Sequence, residues 1–274
     1  MELMQPVFDV ERRFSRTAAF HWMCTHWKQC FYISAVYVLV VHYIQRKMKE
    51  RTQFGLRKPL FLWNLTLALF SAVAFYRVGA HFVQEVMRSG WHKTSCSLEW
   101  LNGPPGLWSF LFGFAKLPEL IDTLFVVLRK QKLMFLHWYH HITVFCYCWY
   151  AYVYPHGQGR IFIVMNLFVH SIMYTYYAVR AQGIVKIPRT VNICITTVQL
   201  MQMVFGVATF VDAYWMLQND LPCNVAYHNI IFGILMYFSY AILFAHFFYV
   251  NYLKKKSILI EESKVEVSEK KKVD

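Results

Sequence analysis

The chain has 274 residues, of which 57% are hydrophobic and 19% aromatic, and its formal net charge is +13. That composition excludes an ordinary soluble domain and indicates an all-α polytopic membrane protein. The charge alone would suit a nucleic acid, but its distribution along the chain excludes that partner.

The first thirty residues are polar and basic and lack the apolar core of a cleavable signal, so insertion must rest on internal segments. A membrane-crossing helix takes about 20 apolar residues. Seven stretches reach or approach that length, at 31–44, 60–83, 107–128, 133–153, 161–179, 191–216 and 230–252, the first starting earlier, near Trp27. They predict one seven-span domain over residues 1–253 and a charged, disordered tail over 254–274.

With seven spans the termini lie on opposite faces. The loops at 45–58, 129–132 and 180–189, with the tail, carry nineteen lysines and arginines, whereas the N-terminal segment and the remaining loops carry seven. The positive-inside rule then places the C-terminus in the cytosol and the N-terminus in the lumen. Topology accounts for the basic excess without nucleic acid. The chain ends Lys271-Lys272-Val273-Asp274, which resembles the dilysine retrieval signal of endoplasmic reticulum membrane proteins, read from the cytosol. Cys96 and Cys223 fall in lumenal loops, so a disulfide clamping 84–106 to 216–229 is expected, with Cys24 as the competing partner. Cys146, Cys148 and Cys194 lie within spans and read as packing residues.

Polar residues inside spans are the informative ones. In the second, Asn64-Leu65-Thr66 is a sequon out of reach of glycosylation, and Arg77 and His81 lie near the lumenal interface, where long side chains snorkel. The third carries Lys116, Glu119 and Asp122. A charge at the centre of a membrane helix costs roughly 2.5–3.5 kcal/mol, so three in one span suggest a polar chamber. The fourth carries His137, His140 and His141, at i, i+3 and i+4 on one helix face. The fifth places Asn166, His170, Tyr174 and Tyr177 on a shared face. The sixth contributes Thr196, Gln199 and Gln202. His42 and His246 are isolated and read as packing residues, as do Trp138, Tyr139, Tyr147 and Tyr150.

Threaded through the topology, these four helices bring their polar groups to the same depth, from mid-membrane to the cytosolic side. Packing hydrogen bonds need not agree in depth, and a reaction site must. Imidazole there can act as nucleophile and general base. A mononuclear metal held by His137, His140, His141 or His170 is the alternative; the di-iron oxidases that share His-x-x-His-His draw on several such boxes, and this chain has one. A receptor or transporter without turnover is a third class.

The ordered motifs Lys116-Leu-Pro-Glu119-Leu-Ile-Asp122-Thr123, His137-Trp-Tyr-His140-His141, Asn166-Leu-Phe-Val-His170-Ser-Ile-Met173-Tyr174-Thr-Tyr176-Tyr177 and Thr196-Thr-Val-Gln199-Leu-Met-Gln202 closely resemble the ELO family of very-long-chain fatty acid elongases. The stretch from Leu128 to Val144 is most similar to the branch that elongates palmitoyl-CoA. The resemblance runs over roughly residues 20–253. It implies an endoplasmic reticulum 3-oxoacyl-CoA synthase that condenses malonyl-CoA with a long-chain, C16-type acyl-CoA, without metal or other cofactor. It also implies six helices around an acyl tunnel open to the cytosol, with the seventh span outside. On this reading His140 is the nucleophile and forms an acyl-imidazole, His170 acts at the same centre, and His137 and His141 orient it and stabilise oxyanions. Lys116, Glu119, Asp122, Asn166, Tyr174, Tyr177, Gln199 and Gln202 bind substrate, the charged three serving either there or as a structural ion pair. Cys146 or Cys148 is the rival nucleophile. The basic loops and Lys254–Lys256 are candidate partners for the CoA phosphates. The implied partners are the two CoA esters, the membrane, the reductases and dehydratase of the elongation cycle, and a second copy of the chain.

Overall fold

The computed structural model describes residues 8–254, so the tail with its Lys-Lys-x-x terminus lies outside the described residues. Two short helices, α1 (Asp9–Arg12) and α2 (Arg16–His26), precede α3 (Gln29–Met48) and α4 (Arg57–Ser89). Next come α5 (Trp91–Cys96), a 3₁₀ turn, α6 (Gly103–Glu119), α7 (Ile121–Leu128) and α8 (Phe135–Val153). The bundle ends with α9 (Gly159–Gln182), α10 (Arg189–Gln218) and α11 (Tyr227–Phe248), the last running into a π-helical turn at Tyr249–Lys254. Among the described residues there is no strand.

Helix covers each of the seven apolar stretches. Four of these helices, α4, α9, α10 and α11 with its π turn, are long and apolar enough to cross a membrane. The others fall short for local reasons: histidines dilute the apolar character of α8, charges flank α3, and the third stretch breaks. Pro118 lacks the N–H that would bond Phe114. The ladder tightens there, with Leu120 N–H reaching Leu117 O at 3.2 Å and Thr123 N–H reaching Leu120 O at 3.3 Å. The break turns Glu119 and Asp122 toward different partners.

Small residues let the long helices approach. α4 buries Ala68, Ser71, Ala74 and Gly79 on the side packed against α9. α10 and α11 interlock through glycine: a Cβ on Gly206 would stand 2.2 Å from the Tyr237 ring, and one on Gly233 would stand 2.0 Å from that of Phe210. The last span is therefore not set outside the bundle; α11 packs on α8 and α10 and buries Tyr237 and Tyr240.

At the far end of the bundle a disulfide joins Cys96 to Cys223, and Cys24 is free and exposed. Asn224 donates to Cys96 O from its backbone at 3.2 Å and its side chain at 2.9 Å, while Gly157 N–H donates to Asn224 O at 2.8 Å. Arg160 is fully buried beside this clamp, donating to His81 Nδ1 at 3.0 Å and Glu85 at 3.1 Å. His81 is thus tied into the fold and does not snorkel.

Nor does Arg77. It is 4% exposed, and its Nε donates to Glu11 Oε1 at 2.8 Å, an oxygen that also accepts from Trp108 Nε1 at 2.7 Å. The first turn of chain folds back to supply the missing carboxylate, because an unpaired guanidinium inside the bundle would cost far more. Burial alone would raise the Glu11 carboxyl; its bonds to Arg77 and Trp108 outweigh that and hold it below the ordinary range. A carboxyl with a lowered folded value stabilises above its unfolded value and stops doing so as pH falls through the folded one. Glu11→Ala is expected to strand Arg77, cost about 3–5 kcal/mol and lower the unfolding midpoint in detergent at neutral pH. The gap to wild type should narrow as the pH is lowered into the carboxylate range.

Candidate active site

The α6–α7 break, α8 and α9 assemble a polar centre from residues far apart in sequence. Lys116 on α6 is 2% exposed, and its Nζ donates to Glu119 Oε1 and Oε2 at 2.9 and 3.1 Å and to Asn166 Oδ1 on α9 at 3.0 Å. His170, one turn beyond Asn166, brings Nδ1 to 3.8 Å from Glu119 Oε1. Asp122, on the other side of the break, accepts from Trp63 Nε1 on α4 at 2.5 Å and from Tyr174 OH at 2.7 Å. Each acid thus has its own donors: the ammonium for Glu119, two neutral groups for Asp122.

The three α8 histidines stand in different states. His137 Nε2 lies 3.1 Å from Thr123 Oγ1, which in turn lies 2.5 Å from Tyr37 OH on α3. His141 is 7% exposed, its ring centroid 4.7 Å from that of His137, and its Nδ1 has no partner among the described residues. His140 is half-buried, with its ring 5.0 Å from Tyr240 and its backbone carbonyl accepting from the Tyr240 hydroxyl at 3.3 Å. Among the described residues neither ring nitrogen of His140 makes a hydrogen bond.

An apolar cavity adjoins this centre. Val144, Cys148 and Ala151 line it from α8, continuing the His140 face at helical spacing; Phe162, Ile163 and Asn166 line it from α9, and Met236 and Tyr237 from α11. Trp100, Leu101, Pro155 and His156, next to the disulfide clamp, close its far end. His156, in the loop between α8 and α9, is buried, which pushes its imidazole down to about 4 and keeps the floor uncharged at neutral pH. Asn166, which accepts from Lys116, joins the polar centre to this apolar slot.

Other residues expected at the centre stand elsewhere. Gln199 donates to Met173 Sδ at 3.2 Å, and Gln202 is buried beside Tyr237 on the cavity wall. Thr196 Oγ1 donates to Asn192 O at 2.9 Å, and Tyr177 keeps 40% of its surface exposed. Cys146 faces away, 3.4 Å from Ser34 Oγ on α3, whereas Cys148 lines the cavity. Among the described residues no group of three or more His, Cys, Asp or Glu is arranged to hold a metal ion. Trp63, Tyr37 and Tyr240 escaped sequence reasoning, because a single aromatic in a hydrophobic span carries no signal of its own.

Comparison with known proteins agrees with this arrangement. Residues 22–258 match the family described as GNS1/SUR4 (ELO). The chain is 43% identical over 250 residues to the human protein named very long chain fatty acid elongase 6, covering 90% of this chain and 93% of that one. It is 42% identical to the mouse protein of the same name with the same coverage. With the Drosophila melanogaster protein of that name it shares 41% identity, over 90% of this chain and 79% of the other. Motif order, site geometry and full-length similarity converge: the chain belongs to the ELO family.

Proposed function

We propose that this protein is a fatty acid elongase of the endoplasmic reticulum, condensing malonyl-CoA with a C16-type acyl-CoA to give a 3-oxoacyl-CoA two carbons longer, CO2 and CoA. The observation that carries the reading is the partly exposed imidazole of His140, one helical turn from Val144 on the wall of an apolar cavity whose lining includes Asn166 of the Lys116–Glu119–Asn166–His170 network. The acyl chain occupies the cavity and its thioester carbonyl meets His140. A ring nitrogen attacks that carbon, the C–S bond breaks, and CoA leaves as its thiol with the proton of the imidazole. The acyl-imidazole persists because the site excludes water. Malonyl-CoA then enters and loses CO2, the enolate carbon takes the acyl group as the C–N bond breaks, and the departing imidazolate takes a proton delivered from solvent by way of His170, regenerating His140.

His141 and the ammonium of Lys116 supply charge stabilisation for the oxyanions, while Thr123 holds His137 in place. Tyr174, through Asp122, keeps the α7–α9 wall in register. The chemistry needs no cofactor beyond the two CoA esters. Seven spans, six of them around the cavity, with the N-terminus in the lumen and the C-terminus in the cytosol, set the CoA end of the site at the cytosolic face. The product calls for the reductases and dehydratase of the elongation cycle as partners, and a homo-oligomer is compatible with the exposed faces.

The test is intact-protein mass spectrometry in detergent with palmitoyl-CoA alone. A gain of one acyl chain is expected, lost in His140→Ala and kept in Cys146→Ala and Cys148→Ala, and discharged by malonyl-CoA. Turnover without any adduct would remove the acyl-imidazole and leave a one-step condensation.

A further inference from the structure

α8 and α11 meet along a seam that hydroxyl groups close. Tyr139 OH lies 3.0 Å from Ser239 Oγ, Thr143 Oγ1 lies 2.5 Å from Tyr240 OH, Tyr147 OH donates to Asn229 Oδ1 at 3.2 Å, and Tyr150 bonds to His228. On α8 these positions fall at i, i+4, i+8 and i+11, one continuous stripe. The α10–α11 packing is different, with rings locked over Gly206 and Gly233.

Outside the seam, on the surface that would face lipid, runs a groove of about 410 Å³ walled by Trp27 and Phe31 on one side and by Phe232 and Leu235 on the other. Inside lies the acyl cavity, of about 90 Å³. Tyr147 and Met236 line both. The partition between bilayer and cavity is therefore one side chain deep from each helix, and one of the two is a flexible methionine.

The geometry points to the α8–α11 seam as a lateral gate, through which the hydrocarbon chain of the acyl-CoA passes between the bilayer and the cavity while its CoA head stays at the His140 end. This rests on the reading of the cavity as the acyl site. Two features favour a chain over any other occupant of the groove. It is continuous with the acyl cavity across a shared wall, and its rims are apolar, with Phe31, Phe232 and Leu235 exposed by 54%, 51% and 62%. Trp100 and His156 stand across the far end of the cavity, so a chain leaving end-on would be drawn out through the polar centre. Sideways exit parts the hydroxyl pairs and the ring contacts of Tyr139 and His140 with Tyr240; such hydrogen bonds are weak in a bilayer because separated partners find others, and lipid tails cover the apolar surface that parting uncovers.

The test uses the full chain in liposomes. In Tyr150→Cys/Phe232→Cys, two groove positions off the cavity whose rings stand 5.6 Å apart, a short bis-methanethiosulfonate reagent bridges the seam; wild type given the same reagent controls for the native thiols. Bridging is expected to slow steady-state elongation of palmitoyl-CoA at least tenfold, reversibly on mild reduction. Protein loaded with palmitoyl-CoA before bridging should still complete one condensation per molecule. Leu235→Trp, which fills the groove without a cross-link, should slow multiple turnover several-fold and leave the first turnover unchanged. Undiminished steady-state rates in both would overturn the gate. No condensation even before bridging would instead sink the elongase reading on which it rests.

Discussion

Replacing His140 by alanine is expected to lower elongation of palmitoyl-CoA by on the order of 10³-fold or more, the scale of losing a nucleophile, with little change in stability. The choice among four histidines follows from their hydrogen bonds. His137 is engaged by Thr123, His170 faces Glu119, and His141 is the more deeply buried neighbour. His140 alone among them combines unengaged ring nitrogens with partial exposure, one turn above Val144 on the cavity wall. His170→Ala should cost less, about 10²-fold, as expected for proton transfer or positioning. Steady-state rates at saturating malonyl-CoA separate the two. If His137→Ala or His141→Ala abolished elongation while His140→Ala stayed active, the nucleophile would have to be reassigned.

The second large effect concerns the ion pair at the α6–α7 break. Lys116→Met leaves Glu119, 3% exposed, without its cation and Asn166 without its donor. Breaking a buried pair in this way costs about 3–5 kcal/mol, whereas replacing both partners by apolar groups of similar volume is often neutral. Lys116→Met should therefore unfold in detergent at a clearly lower temperature, and Lys116→Met/Glu119→Leu should recover most of the loss. Activity separates a structural pair from a substrate-binding one. If Lys116 only holds the helices together, the double variant regains elongation with stability; if its ammonium also meets the thioester oxyanion, the double variant is stable and inactive. The second outcome is expected, because Lys116 donates to Asn166, which lines the cavity proposed for the acyl chain.

The helices and the chemistry were legible in the sequence to different depths. Apolar runs locate helices because their composition must match their surroundings over many residues, and every run is helical. The run from Leu107 to Leu128 read as one helix, since hydropathy does not register the single N–H that Pro118 lacks. Histidine spacing placed His137, His140 and His141 on one face because helical geometry alone decides that. Which imidazole is free depends on Thr123 and Tyr37, residues from other helices that no local pattern announces. Arg77 was misread for the same reason: its partner Glu11 lies 66 positions away in a segment with no periodicity. Gln199 and Gln202 share the sixth span with Thr196, yet depth along a helix does not fix the direction in which a side chain points.

The bridge between Cys96 and Cys223 carries a rule of parity. Both sulfurs must meet the same oxidising compartment, so the chain between them crosses the bilayer an even number of times. On the seven-span topology proposed above, the intervening helices, α6 with α7, α8, α9 and α10, make four passes. Removing or adding one crossing in that interval would leave the two thiols on opposite sides and unable to pair, so correct pairing reports correct insertion. On that proposed topology the connectors after Leu128 and after Gln182, an odd number of passes away from either cysteine, face the reducing compartment, the side proposed for the CoA end of the site.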